Sequence, residues 1–455
     1  MRAPDWSILR QRDFRLLWGA GGISNACRWM EMGVLGWLVL ELTNSPWQVA
    51  LVGAFRSAPM LAFGLFSGLI ADRMNRRCVM LITQAGNALV TAALLLSLLV
   101  EAIQPWQVFV GAFVLGCSTI LDMPSRRSLI YDVVGPHKLV SAMSLETINN
   151  TVGKFLGPVI GGFVIEAIGF PGVYTLFLFA YLLTLLLLLQ IRANIIGPAV
   201  GTQPIWKSLV SGVRYALQNR MVLGVLCTTI LMNALGFSYV QLLPVVARDH
   251  LQIGPGLMGL LASADGMGTL IGALMLSASG HIRGQGRIFA LGALVELICL
   301  IGFALSPWYG LSFALLVIVG MGNSGFSTMQ STIILLSAAP GMRGRAVGIL
   351  GLCIGSTPLG LLELGAVAAL FGAPVAIGVN AGLALMLMLP VIARTPLIFH
   401  PAESTAAAPS ASPSRSGLIM THSSSPLLGE ESAGGYGSTF PTPPSRPSSS
   451  RGEGV

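Results

Sequence analysis

Apolar runs of about twenty residues recur along this chain, each set off from the next by a short polar or basic break. A run of that length is what an α-helix needs to cross the roughly 30 Å hydrocarbon core of a bilayer. Inside lipid each backbone N–H and C=O must find its partner within the segment or an adjoining strand, so a chain of such runs folds as a helical bundle. The runs fall at 16–40, 47–70, 78–100, 105–130, 142–166 and 171–192, then at 221–246, 254–278, 288–306, 309–337, 346–366 and 372–394. Charged residues make up 10% of the chain, against about 25% in soluble domains, too few to cover a water-facing surface. The expected fold class is an all-α polytopic membrane protein with about twelve transmembrane helices.

The net charge of +8 does not point to nucleic acid, because the bases sit in short clusters between apolar runs. Alternate loops hold Arg73, Arg76 and Arg77, then Lys138, then Arg192, Lys207, Arg214 and Arg220, then Arg283 and Arg287, then Arg343 and Arg345. The opposite loops hold Glu41, Glu101, Glu166 and Asp249, with Arg248 their one strong base. By the positive-inside rule both termini are expected in the cytoplasm, with the protein multi-pass in the plasma membrane. The Arg-rich N-terminus precedes a run long enough to span, so no cleavable signal peptide is expected. Six cysteines without CxxC spacing indicate neither a disulfide framework nor a zinc site.

The chain divides into a first six-helix bundle (1–192), a cytoplasmic linker (193–220), a second bundle (221–395) and a tail (396–455). Ile205, Leu209, Val213 and Leu217 recur at helical spacing, so the linker is expected to carry an amphipathic helix at the membrane surface. The tail is rich in Ser, Pro, Ala and Gly and poor in aromatics, a composition that cannot offset the entropy of ordering. The halves share a pattern: Pro136–Ala142 and Pro340–Ala346 each follow a fourth span and precede a glycine-rich fifth. Duplicated halves place a substrate site at their interface near the bilayer midplane.

Between the second and third spans stands Gly68-Leu-Ile-Ala-Asp72-Arg73-Met-Asn-Arg76-Arg77. This resembles the signature loop of the major facilitator superfamily, with Asn75 where a glycine is usual, a residue that also tolerates left-handed backbone. The stretch Asp122-Met-Pro-Ser-Arg-Arg-Ser-Leu-Ile-Tyr-Asp-Val-Val134, followed by Gly157-Pro-Val-Ile-Gly-Gly162, is similar to the macrolide-efflux and enterobactin-exporter-like branch. Gly212–Arg220 and Arg343-Gly-Arg345 agree with that branch, and the resemblance covers residues 7 to 395. It implies two pseudo-symmetric six-helix bundles, a monomer, and secondary export of a small drug-like, siderophore-like or amphipathic anionic molecule in exchange for protons or sodium. It also implies a conformational latch made by Gly68, Asp72, Arg73, Arg76, Arg77 and Arg126, and an antiport-associated helix face made by Gly157, Pro158, Gly161 and Gly162. In the second half the matching loop, Gly280–Arg287, lacks an acid.

Ionisable groups at membrane depth are expensive and are expected to face a cavity or a partner. Arg28 and Glu31 share a helix face at i, i+3 and are expected to pair. With Arg56 and Lys154 they make the first half mainly basic, while Asp265, Glu296 and Glu363 make the second half acidic. The expected substrate and proton pathway is Arg28, Glu31, Arg56, Lys154 and Asp265. The bases attract an organic anion, and Asp265 or Glu31 carries the proton, a carboxyl being able to take up and release one. Glu296 lies on a third span, which the resemblance puts outside the cavity. The same charges can instead neutralise one another across the half–half interface. An importer of an organic anion and a non-transporting sensor or scaffold are the other readings. No P-loop and no His/Cys cluster is present, so no cofactor, no direct use of ATP and no enzymatic activity are expected.

Overall fold

The computed structural model describes residues 6–192, 205–278, 284–338 and 342–395, apart from the side chains of 65–73 and of several residues near 205–212 and 343. The tail therefore lies outside the described residues. The described chain is helical: α1 (Arg12–Thr43), α2 (Pro46–Arg73), α3 (Arg76–Leu99), α4 (Pro105–Val134) and α5 (Leu139–Leu189) form the first half. The linker helix α6 (Ile205–Gln218) leads to α7 (Arg220–Leu231), α8 (Tyr239–Val245), α9 (Pro255–Ala278), α10 (Gln285–Leu305), α11 (Tyr309–Ser337), α12 (Arg343–Ile354), α13 (Thr357–Phe371) and α14 (Ala373–Arg394).

Among the described residues, nine helical stretches are long and apolar enough to cross a membrane. One of them, the 51-residue α5, supplies two spans, because Gly169 takes a positive φ of 70° that no helix contains. The helices α1 and α2 are 32 and 28 residues long, and carry Arg28, Glu31 and Arg56 in their middles. They bring the spans to twelve. Large apolar side chains such as Val140, Leu305, Leu370 and Leu89 stand 73–80% exposed on the outer faces, a surface suited to lipid and not to water. On α6, Val210, Val213 and Leu217 are likewise exposed.

Local chemistry sets several helix starts. Asn75 caps α3, its side chain accepting from the backbone N–H of Arg77 and Cys78 at 3.1 and 3.3 Å. Its φ is −61°, so the residue serves as an N-cap and not as the left-handed turn expected of it. Gln104 and Gln107 make a reciprocal capping box ahead of Pro105 at the start of α4.

Two spans expected to be continuous are broken. The seventh passes from α7 through a π-helical turn (Met232–Gly236) into α8, and the eleventh is interrupted at Gly355–Ser356 between α12 and α13. The breaks meet: a Cβ on Gly360 would lie 1.5 Å from the Ala234 carbonyl oxygen, so α13 rests directly on the π turn. Between the halves, α5 packs along α9 and α2 along α13. In span order these are the fifth with the eighth and the eleventh with the second, pairs that exchange under a two-fold relation between halves.

Candidate functional site

A cavity of about 750 Å³ lies between the halves, within the range of small-molecule sites. Its wall is mostly apolar, with Met32, Met60, Met123, Phe237, Val240 and Leu361, and the charged side chains on it are Arg28, Arg56 and Arg127. Among the described residues, the expected acidic second-half wall is not found on this cavity. Asp265, Glu296 and Glu363 are not among the lining residues; the second half contributes Phe237, Ser238, Val240, Gln241, Ile354, Thr357 and Leu361. Several of these sit at the breaks in the seventh and eleventh spans, where irregular backbone is tolerated because it borders a cavity.

Two ion pairs form among the membrane-depth charges, though not as helical spacing suggested. Glu31, 3% exposed, receives Arg56 Nη1 at 3.1 Å and the Tyr181 hydroxyl. Arg28 turns away from Glu31 and donates to Asn150 Oδ1 at 2.6 Å, an oxygen that also accepts from the Trp29 indole at 3.2 Å. Spacing put Arg28 and Glu31 on one face, but α2 brings the competing guanidinium of Arg56 to the carboxylate. Lys154 Nζ reaches Asp265 Oδ2 at 2.8 Å and Thr269 Oγ1 at 3.2 Å, joining α5 to α9. The Trp29 ring stands between these systems, with the Arg28 guanidinium 5.8 Å and the Lys154 ammonium 5.6 Å from its centroid. Glu296 is fully buried between α10 and α11 against Gly322, and neither of its oxygens has a partner.

The ends of the halves differ. At the acidic-loop end they are tied together: Arg248 donates to the Leu40 carbonyl at 3.2 Å and to Asn44 Oδ1 at 2.9 Å. Gln241 donates to the Val49 carbonyl at 3.1 Å, and the Gly256 N–H donates to Glu166 Oε2 at 3.0 Å. There Gly162 and Gly259 meet backbone to backbone; a Cβ on Gly162 would lie 2.3 Å from the Pro255 carbonyl oxygen. Gly157 and Gly161 face the other way, onto Ala26 and Met30 of α1, so one helix packs closely on two sides. Pro158 lies between those faces, its carbonyl against Gly259.

At the basic-loop end the bonds of the signature bases stay within the first half. Arg76 pairs with Asp132 of α4. Arg77 donates to the carbonyls of Leu188 and Leu189 at 3.2 and 2.7 Å, a cation at a helix C-terminus. Arg126 pairs with Asp122 at 2.9 Å and crowds Gly21 beside Glu146. Gly68, Asp72 and Arg73 close α2, and their side-chain surroundings lie outside the described residues. Arg127, one position along from Arg126 and so about 100° around the helix, points into the cavity near this end. Sequence reasoning missed Arg127, Asn150 and Gln241; the doubled arginine after Pro124 was the available signal for the first.

Known proteins resemble the chain over most of its length. A family model described as a transmembrane secretion effector matches residues 3–426. The enterobactin exporter EntS of Shigella boydii serotype 18 (strain CDC 3083-94 / BS512) is 26% identical over 324 residues, 70% of this chain and 77% of that protein. The EntS of Escherichia coli O139:H28 (strain E24377A / ETEC) is 25% identical over the same shares. Among solved structures, a bacterial homolog to the human lysosomal transporter Spinster, inward-facing and unoccupied, superposes with a TM-score of 0.64 at 15% identity, over 85% of this chain and 94% of that one. A POT family transporter in complex with 5-aminolevulinic acid gives a TM-score of 0.70 at 12% identity, over 85% and 96%. These last two share the fold.

Proposed function

Because this chain belongs to the transmembrane secretion effector family of the major facilitator superfamily, we propose that it exports a small amphipathic organic anion across the bacterial inner membrane, by alternating access and in exchange for protons. One observation carries the substrate class: among the described residues, the cavity between the halves is lined by apolar and neutral polar side chains and three arginines, with no carboxylate. Such a site stabilises an apolar body bearing negative charge and repels an amphipathic cation. Similarity to exporters supports the direction. In this reading the arginine-bearing loops face the cytoplasm, so the end tied by Arg248, Gln241 and Glu166 is the outer gate, and Arg127 lies at the cytoplasmic mouth. Gly68, Asp72, Arg73, Arg76, Arg77 and Arg126 then form the latch that closes the cytoplasmic end later in the cycle, and the protein works as a monomer of two six-helix bundles joined by the 193–220 linker. Asp265 and Glu31 are the proton carriers.

A second reading, import of an anion together with a proton, is favoured by the pairings themselves. Arg56 and Lys154 each hold a carboxylate, so protonating that carboxylate frees a cation, and linkage then makes proton and anion binding reinforce each other.

Everted membrane vesicles with an acidified lumen and an internal pH dye separate the two. Phenolic and carboxylic amphipaths added outside should raise the luminal pH if they are exchanged for protons, and lower it if both enter together. No change with any compound, and none under a sodium gradient, would remove proton-coupled and sodium-coupled transport alike.

A further inference from the structure

Beside the large cavity, and sharing Arg28, Arg56 and Thr119 with its wall, the first half holds a second, smaller space. It lies among α1, α3, α4 and the second arm of α5, and reaches from Glu31 to Asp122. Its surface is mainly polar, and four side-chain atoms on it, Ser24 Oγ, Asn25 Nδ2, Gln84 Oε1 and Asn87 Oδ1, are buried without a protein partner. Gln84 is 2% and Asn87 8% exposed, so these polar atoms face the pocket and not the outer surface. A buried polar group left unmatched costs about 1–3 kcal/mol, and four of them around one space call for a common occupant. The free volume is about 30 Å³, against roughly 10–15 Å³ for one enclosed water, which gives room for about two. Neighbouring Arg28, Arg56 and Arg126 make a metal cation a poor occupant. Water, with two donors and two acceptors, matches a set that contains both.

We propose that this pocket is a hydrated proton relay joining Glu31, at the membrane centre, to Asp122, at the latch end of the same bundle, so that the coupling proton crosses the first half apart from the substrate cavity. The inference rests on the proton-coupled reading above. The two ends are suited to it. Glu31 is held by Arg56 and Tyr181 on the pocket's inner side, and Asp122 by Gln84 at 3.2 Å and Arg126 at 2.9 Å on the outer. In each passage the Glu31 carboxylic acid gives its proton to the first water, that water passes one to the second, and the second gives one to the Asp122 carboxylate, so both waters end neutral, Glu31 becomes a carboxylate and Asp122 a carboxylic acid. Arrival at Asp122 weakens its pairing with Arg126, so the proton reaches the latch through the relay.

The test reads the proton itself. Purified protein in liposomes is taken through an alkaline-to-acid pH jump, and the carboxylic acid C=O infrared band that Glu31→Gln removes is followed in time. Asn87→Leu, which fills the pocket with an apolar side chain, is expected to slow the appearance of that band about tenfold or more. Asn87→Ser, which leaves space and a polar group, is expected to keep the wild-type rate. Ser24→Leu closes the pocket from the opposite wall and stands in should Asn87→Leu fail to fold, as judged by thermal melting. A wild-type rate in a folded Asn87→Leu or Ser24→Leu protein overturns the relay. A band that responds as expected in a protein whose vesicles show no proton-coupled transport upholds the relay and refutes the coupled-transport reading, so the two failures are distinct.

Discussion

Lys154 and Asp265 come from opposite halves of the molecule and meet at 2.8 Å, with Thr269 completing the ammonium's contacts. Both side chains are largely buried, so each depends on the other for its charge to be tolerated. The bridge lies midway along the α5–α9 contact, between the glycine pair Gly162–Gly259 at one end and the cavity at the other.

Removing one partner of such a pair leaves an uncompensated charge, at a cost of about 3–5 kcal/mol. Asp265→Asn is therefore expected to lower the melting temperature in detergent and to abolish transport. Lys154→Met with Asp265→Met is expected to regain the stability without the transport. Transport surviving in the double variant would remove the bridge from the coupling machinery and leave it as a structural tie.

The Glu31–Arg56 contact yields a prediction of the opposite sign. Arg56 borders both the cavity and the polar pocket, while Glu31 borders only the latter. Neutralising Glu31 releases Arg56 to an anion in the cavity, so Glu31→Gln is expected to bind the transported anion about tenfold more tightly, within the usual range of such couplings. On the import reading, affinity should rise on acidification in the wild type and become insensitive to pH in Glu31→Gln. Equilibrium binding at two pH values measures both effects, and a wild-type affinity in the variant would disconnect the two sites.

What the sequence displayed and what it hid follow different physics. The spans, including the division of the fifth from the sixth near Gly169, are local properties of composition, and they were readable. Partnerships among charges were not. Arg28 and Glu31 share a helix face, yet Glu31 is claimed by Arg56 and Tyr181 from two other helices, and Arg28 by Asn150 from α5. Position within one helix cannot say which neighbour brings a counter-charge. The same holds for the breaks at Met232–Gly236 and Gly355–Ser356, where Gly360 of one span rests against Ala234 of another. Asn75 was noticed for its place in a motif, but its effect is the cap it gives α3.

Arg127 is an exposed cation on the cavity wall. Its guanidinium is available to a substrate, and its removal leaves no buried charge unmatched. Arg127→Ala is expected to raise KM about tenfold, as for a lost charge-assisted hydrogen bond, while stability changes by less than about 0.5 kcal/mol. Arg126→Ala, one residue away, should do the reverse. It strands Asp122 and Glu146 in the buried side of the bundle, so it is expected to destabilise the protein more than it alters KM. Initial rates over a range of substrate concentration, set beside thermal melts of both variants, make the comparison, and equal behaviour of the two would refute the division of roles.

Gly162 tests the gate at the acidic-loop end. Any side chain there must push against backbone, since its Cβ would stand 2.3 Å from the Pro255 carbonyl oxygen and 3.0 Å from the Gly259 Cα. Neither neighbour can rotate away as a flexible side chain could, so the strain is relieved by separating α5 from α9 at that end. Opening there also gives up the bonds of Arg248, Gln241 and Gly256 across the gate. Gly162→Val is therefore expected to shift the population toward the state open at this end, by about tenfold for each 1.4 kcal/mol of strain relieved. Met258, 2% exposed against Gly33 and Trp37 of α1, where the second half meets the first, reports the shift: a cysteine placed there in a cysteine-free background should react with an impermeant maleimide faster when Gly162 is replaced. Unchanged labelling in a folded, membrane-inserted variant would mean that the α5–α9 contact does not control this gate.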